Sequence, residues 1–208
     1  MISLGWMSEP VAMASHPVFL AIAAALSSWV LVFRPRLRIV ALGFAAYFLS
    51  LVVEYYAMPF SFGVELLFIA PVVEESMKFL MNRARTLKGG IATGWGFSIL
   101  ENASYFILYM SSPILLTVMA VRSISDTMMH SFNAGLSSFS YRRQGKMRFG
   151  LPAAMVIHSL FNLGTVAFSS FDLQAGFLAA VFLLMLAGML RMTGAIKGNR
   201  RIFSPDLS

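Results

Sequence analysis

No cysteine occurs among the 208 residues, which excludes disulfides, thiolate metal sites and a cysteine nucleophile. Charge is nearly as scarce: 12% of the chain is charged and 58% is hydrophobic, a balance that excludes both an ordinary soluble domain and a disordered one. No hydrophilic block is long enough to fold by itself in water, so residues 1–208 read as one integral membrane unit. Lys and Arg are missing ahead of the first apolar run (MISLGWMSEPVAMASH), where a secretory signal peptide needs positive charge. The positive cluster follows that run, at Arg34, Arg36 and Arg38, which predicts a retained first helix with its N-terminus outside.

Apolar runs are what the chain has in quantity. They divide at roughly 17–33, 38–58, 62–81, 90–110, 113–140, 150–169 and 174–191, lengths suited to bilayer helices. The connections alternate in charge. Basic residues cluster at 34–38, 83–88, 142–148 and 191–201, whereas 57–61, 110–112 and 170–173 contain no Lys or Arg. By the positive-inside rule the expected fold is all-α: a polytopic membrane protein of about seven transmembrane helices, N-terminus outside and C-terminus cytoplasmic, in the cell membrane. The net charge of +7 then marks cytoplasmic loops facing anionic headgroups, and no nucleic-acid partner is expected.

Six of the nine acidic residues (Glu54, Glu65, Glu74, Glu75, Glu101 and Asp126) fall inside these apolar runs. A carboxylate at the centre of a bilayer helix costs roughly 2.5–3.5 kcal/mol, so six central and unpaired would cost on the order of 15 kcal/mol. Such groups must pair or line a wet cavity. Glu74 and Glu75 follow Pro71, which predicts a kink and freed carbonyls that must face protein or water. Lys78 is four residues beyond Glu74 and three beyond Glu75, within reach of either but able to neutralise only one. Adjacent carboxylates diverge by about 100° on a helix, so the other needs a partner elsewhere. Glu101 and Asn102 have no basic residue within helical reach. Arg122, Asp126, His130 and Asn133, spaced by four, four and three, share one helix face. Arg122–Asp126 reads as an intrahelical ion pair, with Asp126 also placed to orient His130. His158 and Asn162 likewise share a face, and His16 is assigned no role. In the predicted orientation Glu75, Glu101, His130 and His158 all lie roughly 10–17 Å below the cytoplasmic face, at 1.5 Å per residue.

Carboxylates and imidazoles in one layer can activate water. Glu74, Glu75, Glu101, His130 and His158 are therefore the candidate catalytic groups. Asn102, Asn133 and Asn162, with Lys78 and Asp126, are candidate oxyanion donors or orienting groups. Alternatively Glu101, His130 and His158 form a two-His-one-carboxylate site for a divalent metal such as zinc, with Glu74 or Glu75 as general base. Both readings lead to hydrolysis inside a membrane cavity. No HExxH and no GxGD motif is present, and Gly96-Phe97-Ser98 is followed by Ile99 where a GxSG-type serine protease carries Gly.

In these residues the chain resembles the PrsW family of intramembrane proteases, a family distantly related to the type II CAAX prenyl endopeptidases. The family's EExxK motif stands here as Glu74-Glu75-Ser76-Met77-Lys78, and FxxxEN as Phe97-Ser98-Ile99-Leu100-Glu101-Asn102. A histidine of the next helix corresponds to His130, and HxxxN stands as His158-Ser159-Leu160-Phe161-Asn162. The resemblance spans about residues 70–165, with the four motifs in order on separate helices. It implies proteolysis of a membrane-anchored protein or peptide, with the paired glutamates activating water and HxxxN resembling an oxyanion hole. The CAAX relatives carry histidine where Glu101 stands, so the resemblance leaves a glutamate mechanism and a metal mechanism both open. Two readings of another class compete: a proton- or ion-coupled transporter, against which the EExxK segment has no second copy, and a non-catalytic scaffold, in which some of the five Glu/His positions would be dispensable.

Overall fold

A computed structural model describes residues 37–57, 60–82, 86–109, 111, 115–145, 149–167 and 171–198. All regular elements among them are helical: α1 (Leu37–Ala57), a short α2 (Phe62–Val64), a π-turn (Glu65–Ile69), α3 (Ala70–Met81), α4 (Leu87–Tyr109), α5 (Leu115–Gln144), α6 (Gly150–Ala167) and α7 (Phe171–Gly198). Six of the expected apolar segments thus have helical counterparts, and the one at 17–33 lies outside the described residues.

Several boundaries differ from the apolar runs, among them the C-terminal ends of α5 and of α7, which runs to Gly198, and one run is divided. Helix α5 continues past residue 140 to Gln144, because hydropathy marks only the apolar stretch while backbone hydrogen bonding runs on. Arg142 and Arg143 then fall in its last turn, where cations favour the carbonyl end of the helix dipole. The helix stops at Gly145, whose φ of 67° lets its N–H turn back onto the Tyr141 carbonyl at 2.7 Å. The run at 62–81 is not one α-helix. The kink expected at Pro71 takes the form of the π-turn just before it, in which the Ala70 N–H reaches back to Glu65. Proline lacks an N–H and its ring crowds the preceding turn, and a wider turn accommodates both.

The distribution of side chains is inverted relative to a water-soluble bundle. Large apolar residues such as Phe48, Val52, Phe106, Leu108, Leu160 and Leu184 point outward, while Glu74, Glu75, Lys78, Asp126, His130 and His158 are buried. Only in lipid is that arrangement favourable. Leu37–Tyr56, Gly150–Ala167 and Gly176–Gly194 are each long and apolar enough to cross a membrane. The protein is a membrane protein. Helices α4 and α5 carry Glu101, Asn102, Arg122, Asp126 and His130 instead of an unbroken apolar run.

Helix α5 is the centre of the bundle, packed against α3, α4, α6 and α7, with α1 covering α3 and α4. Small residues bring the rods together. A Cβ at Gly94 would collide with the His130 carbonyl, and one at Gly90 with that of Ala134. On the opposite face of α4, Gly96 abuts the Val40 carbonyl of α1. This is the small-xxx-small packing of membrane helices, where close backbone approach replaces the hydrophobic drive. A methionine-rich core (Met128, Met129, Met185, Met189 and Met192 with Phe161 and Leu178) fills the α5–α6–α7 side, and Ala46, Tyr47 and Phe97 fill the α1–α4 side. The polar layer lies between the two.

Candidate active site

Helix α3 delivers three charged groups to the interior. Lys78 Nζ lies 2.7 Å from Glu75 Oε1 and 3.8 Å from Glu74 Oε2, so the turn of the helix pairs lysine with Glu75 first. Glu75 Oε1 also accepts from Asn133 Nδ2 of α5 at 3.4 Å and meets His158 Nδ1 of α6 at 2.9 Å. Glu75 is thereby enclosed and held through Oε1, whereas the Glu74 side chain keeps 11% exposure; Oε2 of each forms no hydrogen bond.

Helices α4 and α5 build the adjoining network. Arg122 Nη2 donates to Glu101 at 2.6 Å and to Asp126 at 3.1 Å, and its guanidinium lies 3.5 Å above the Tyr105 ring. His130 Nε2 meets Glu101 Oε2 at 2.5 Å and lies 3.4 Å from Asp126 Oδ1. Asn102 Nδ2 donates to the other oxygen of Asp126 at 3.4 Å. The Phe97 ring tilts against His130, with centroids 4.9 Å apart, and lies 4.4 Å below the Lys78 ammonium.

These contacts fix both imidazoles. An ammonium has only donors, so His130 Nδ1, 2.5 Å from Lys78 Nζ, accepts, and Nε2 carries the proton toward Glu101. In a neutral His158, Nδ1 donates to Glu75 and Nε2 keeps its lone pair. The two lone-pair nitrogens, His130 Nδ1 and His158 Nε2, each lie 3.9 Å from Glu74 Oε2. A buried carboxylate oxygen without a hydrogen bond thus faces two imidazole nitrogens whose opposite nitrogens are held by other glutamates.

That donor set fits a divalent transition metal once the Lys78 ammonium, which here occupies the His130 Nδ1 lone pair, turns to Glu75 alone. Glu74, His130 and His158 offer one oxygen and two nitrogens within 4.8 Å of one another. Each imidazole is oriented by a carboxylate on its far side, the arrangement typical of metal-binding histidines. Glu101, Asp126 and His130 form a second such group, but the Arg122 guanidinium already bonds to both of its carboxylates. The trio expected from the sequence, Glu101 with His130 and His158, is not gathered among the described residues. Glu101 and Glu74 approach opposite nitrogens of the His130 ring, and His158 lies on the Glu74 side.

A family model described as PrsW family intramembrane metalloprotease matches residues 16–189. The chain belongs to that family. Comparisons with curated proteins and with solved structures gave no match. PrsW membership decides for the protease reading over the transporter, and makes the chain an intramembrane protease acting on a protein or peptide in a membrane environment.

Within this PrsW-family fold the five Glu/His candidates lie within contact distance of one another, Glu74, Glu75, His130 and His158 buried and Glu101 partly so. The auxiliary residues divide. Lys78, Asp126, Asn102 and Asn133 contact that layer, while Asn162 Nδ2 donates instead to the Leu66 carbonyl of the π-turn at 2.9 Å. Arg122 takes a larger part than an intrahelical pair, since it also reaches Glu101. Phe97 and Tyr105 supply ring contacts that helical spacing does not predict. Phe97 was legible as the first residue of the FxxxEN motif, whereas nothing in the sequence marks Tyr105.

Proposed function

We propose that this protease hydrolyses a peptide bond of a membrane-anchored protein or peptide at the Glu74–His130–His158 layer. That layer lies in the cytoplasmic half of a seven-helix bundle with its N-terminus outside the cell membrane. The observation that carries the reading is the Glu74 Oε2 oxygen, buried, without a hydrogen bond and 3.9 Å from two imidazole nitrogens. Glu74, His130 and His158 are the residues that would hold a divalent ion such as zinc. When bound, such an ion supplies a Lewis acid and lowers the pKa of bound water to about 7.

The chain's own groups do the rest. Glu74 is the member of the pair that faces the reacting water, and Glu75 holds His158 and Lys78 in place. Lys78, between Glu75 and His130, provides positive charge close to where a scissile carbonyl develops negative charge. Glu101 and Asp126, bridged by Arg122, keep the His130 proton on Nε2 and its lone pair inward. The packed α4–α5 contact excludes bulk water and strengthens these interactions.

The test is reconstitution in vesicles with a single-span reporter protein, comparing the parent with Glu74→Gln and His158→Ala, alongside metal content by mass spectrometry. Both variants are expected to lose cleavage and to retain less metal than the parent. Cleavage unchanged in both would overturn the assignment.

A further inference from the structure

Pro71 removes one backbone donor from the α2–α3 rod. In a π-turn the N–H of residue 71 would pair with the carbonyl five residues earlier, which is Leu66. That carbonyl accepts instead from the Asn162 side chain at 2.9 Å, a contact between residues 96 apart in sequence. One turn earlier on the same helix, His158 Nδ1 holds Glu75 at 2.9 Å. Leu66 precedes the proline and Glu75 follows it, so α6 grips the rod on both sides of its break.

We infer that Asn162 is a positioning residue: its amide replaces the N–H that Pro71 lacks and, together with His158, fixes the rod's register across the π-turn. A π-turn inserts one residue into the helical repeat, which rotates everything beyond it by about 100° relative to a continuous α-helix. The face on which Glu74 meets His130 and His158 therefore depends on that turn being kept. With the π-turn lost, the rotation would carry the Glu74 carboxylate off the line to both imidazoles. In lipid an open carbonyl has no water to satisfy it, so the bond from Asn162 is the means of keeping the turn. The inference rests on the protease reading only for its consequence for cleavage; the geometry is testable without substrate.

Because the chain has no cysteine, single pairs can be introduced without background. Spin labels at Phe62→Cys and Leu80→Cys, both exposed positions flanking the break, report the rod's geometry by pulsed dipolar spectroscopy in lipid nanodiscs. The parent is expected to give one narrow distance. Asn162→Ala should broaden or shift it, and Asn162→Ala in a Pro71→Ala background, where an N–H is restored, should return one narrow distance. A general loss of stability would broaden both backgrounds alike and would overturn the inference. An unchanged distance after Asn162→Ala, with cleavage lost, would assign Asn162 to oxyanion binding instead. If Asn162→Ala alone fails to fold, recovery of folded protein in the double variant supports the inference, and failure of both refutes it.

Discussion

Glu74 and Glu75 are adjacent and chemically identical, yet neutralising each is expected to have opposite consequences. Glu75 Oε1 accepts from Lys78 at 2.7 Å, lies 2.9 Å from His158 and 3.4 Å from Asn133, and its side chain is wholly enclosed. Glu75→Gln leaves the fully buried Lys78 ammonium with neutral acceptors such as His130 Nδ1 and, as its remaining anionic neighbour, only a 3.8 Å approach to Glu74. Breaking a buried pair by removing one partner costs about 3–5 kcal/mol. For a chain of this size each kcal/mol shifts the melting temperature by roughly 2–4 °C, which gives a drop of about 6–20 °C. Glu74 retains 11% exposure, and its approach to Lys78 is too long for a hydrogen bond. Glu74 Oε2 makes no hydrogen bond for the substitution to break, so Glu74→Gln is expected to cost about 1 kcal/mol or less while abolishing cleavage. The assay is intrinsic-fluorescence melting in detergent, using the chain's three tryptophans, run beside a cleavage assay. Equal melting shifts for the two variants, or the larger shift for Glu74→Gln, would refute the division of labour between them.

Two further substitutions probe the supports of the site. Arg122→Met strands Glu101 and Asp126 beside His130 and is expected to lower stability by about 3–5 kcal/mol and to abolish cleavage. Arg122→Lys should recover part of the melting temperature but less of the activity, since an ammonium lacks the planar fork and its stacking on Tyr105. Gly94→Ala drives a methyl into the His130 carbonyl and is expected to cost about 1–3 kcal/mol with loss of cleavage. Gly176→Ala, which meets open space on α7, should leave the melting temperature unchanged or raise it slightly.

Contacts within one helix were legible from spacing alone. Lys78 with Glu75 at i,i+3 and Arg122 with Asp126 at i,i+4 follow from the 3.6-residue repeat, and both form at hydrogen-bonding distance. Asp126 beside His130 follows from the same rule. Contacts between helices were not. Asn162 lies one turn from His158, so periodicity assigned it to the same layer, but the π-turn presents the Leu66 carbonyl to it instead. Glu101 shows no basic neighbour in sequence, because its arginine arrives from α5.

Composition and charge placement by themselves determined that the chain is helical and lives in a membrane, because lipid admits only segments that satisfy their own backbone and rejects unpaired charge. They also determined which five Glu and His residues had to find one another. Only the tertiary structure decided how. The rotation of α5 against α4, set by backbone contact at Gly90 and Gly94, determines that His130 turns one nitrogen to Glu101 and the other toward Glu74. A helical repeat fixes angles about one axis. It carries no information about the rotation of a second axis against the first, and that rotation decides which glutamate meets which nitrogen of His130.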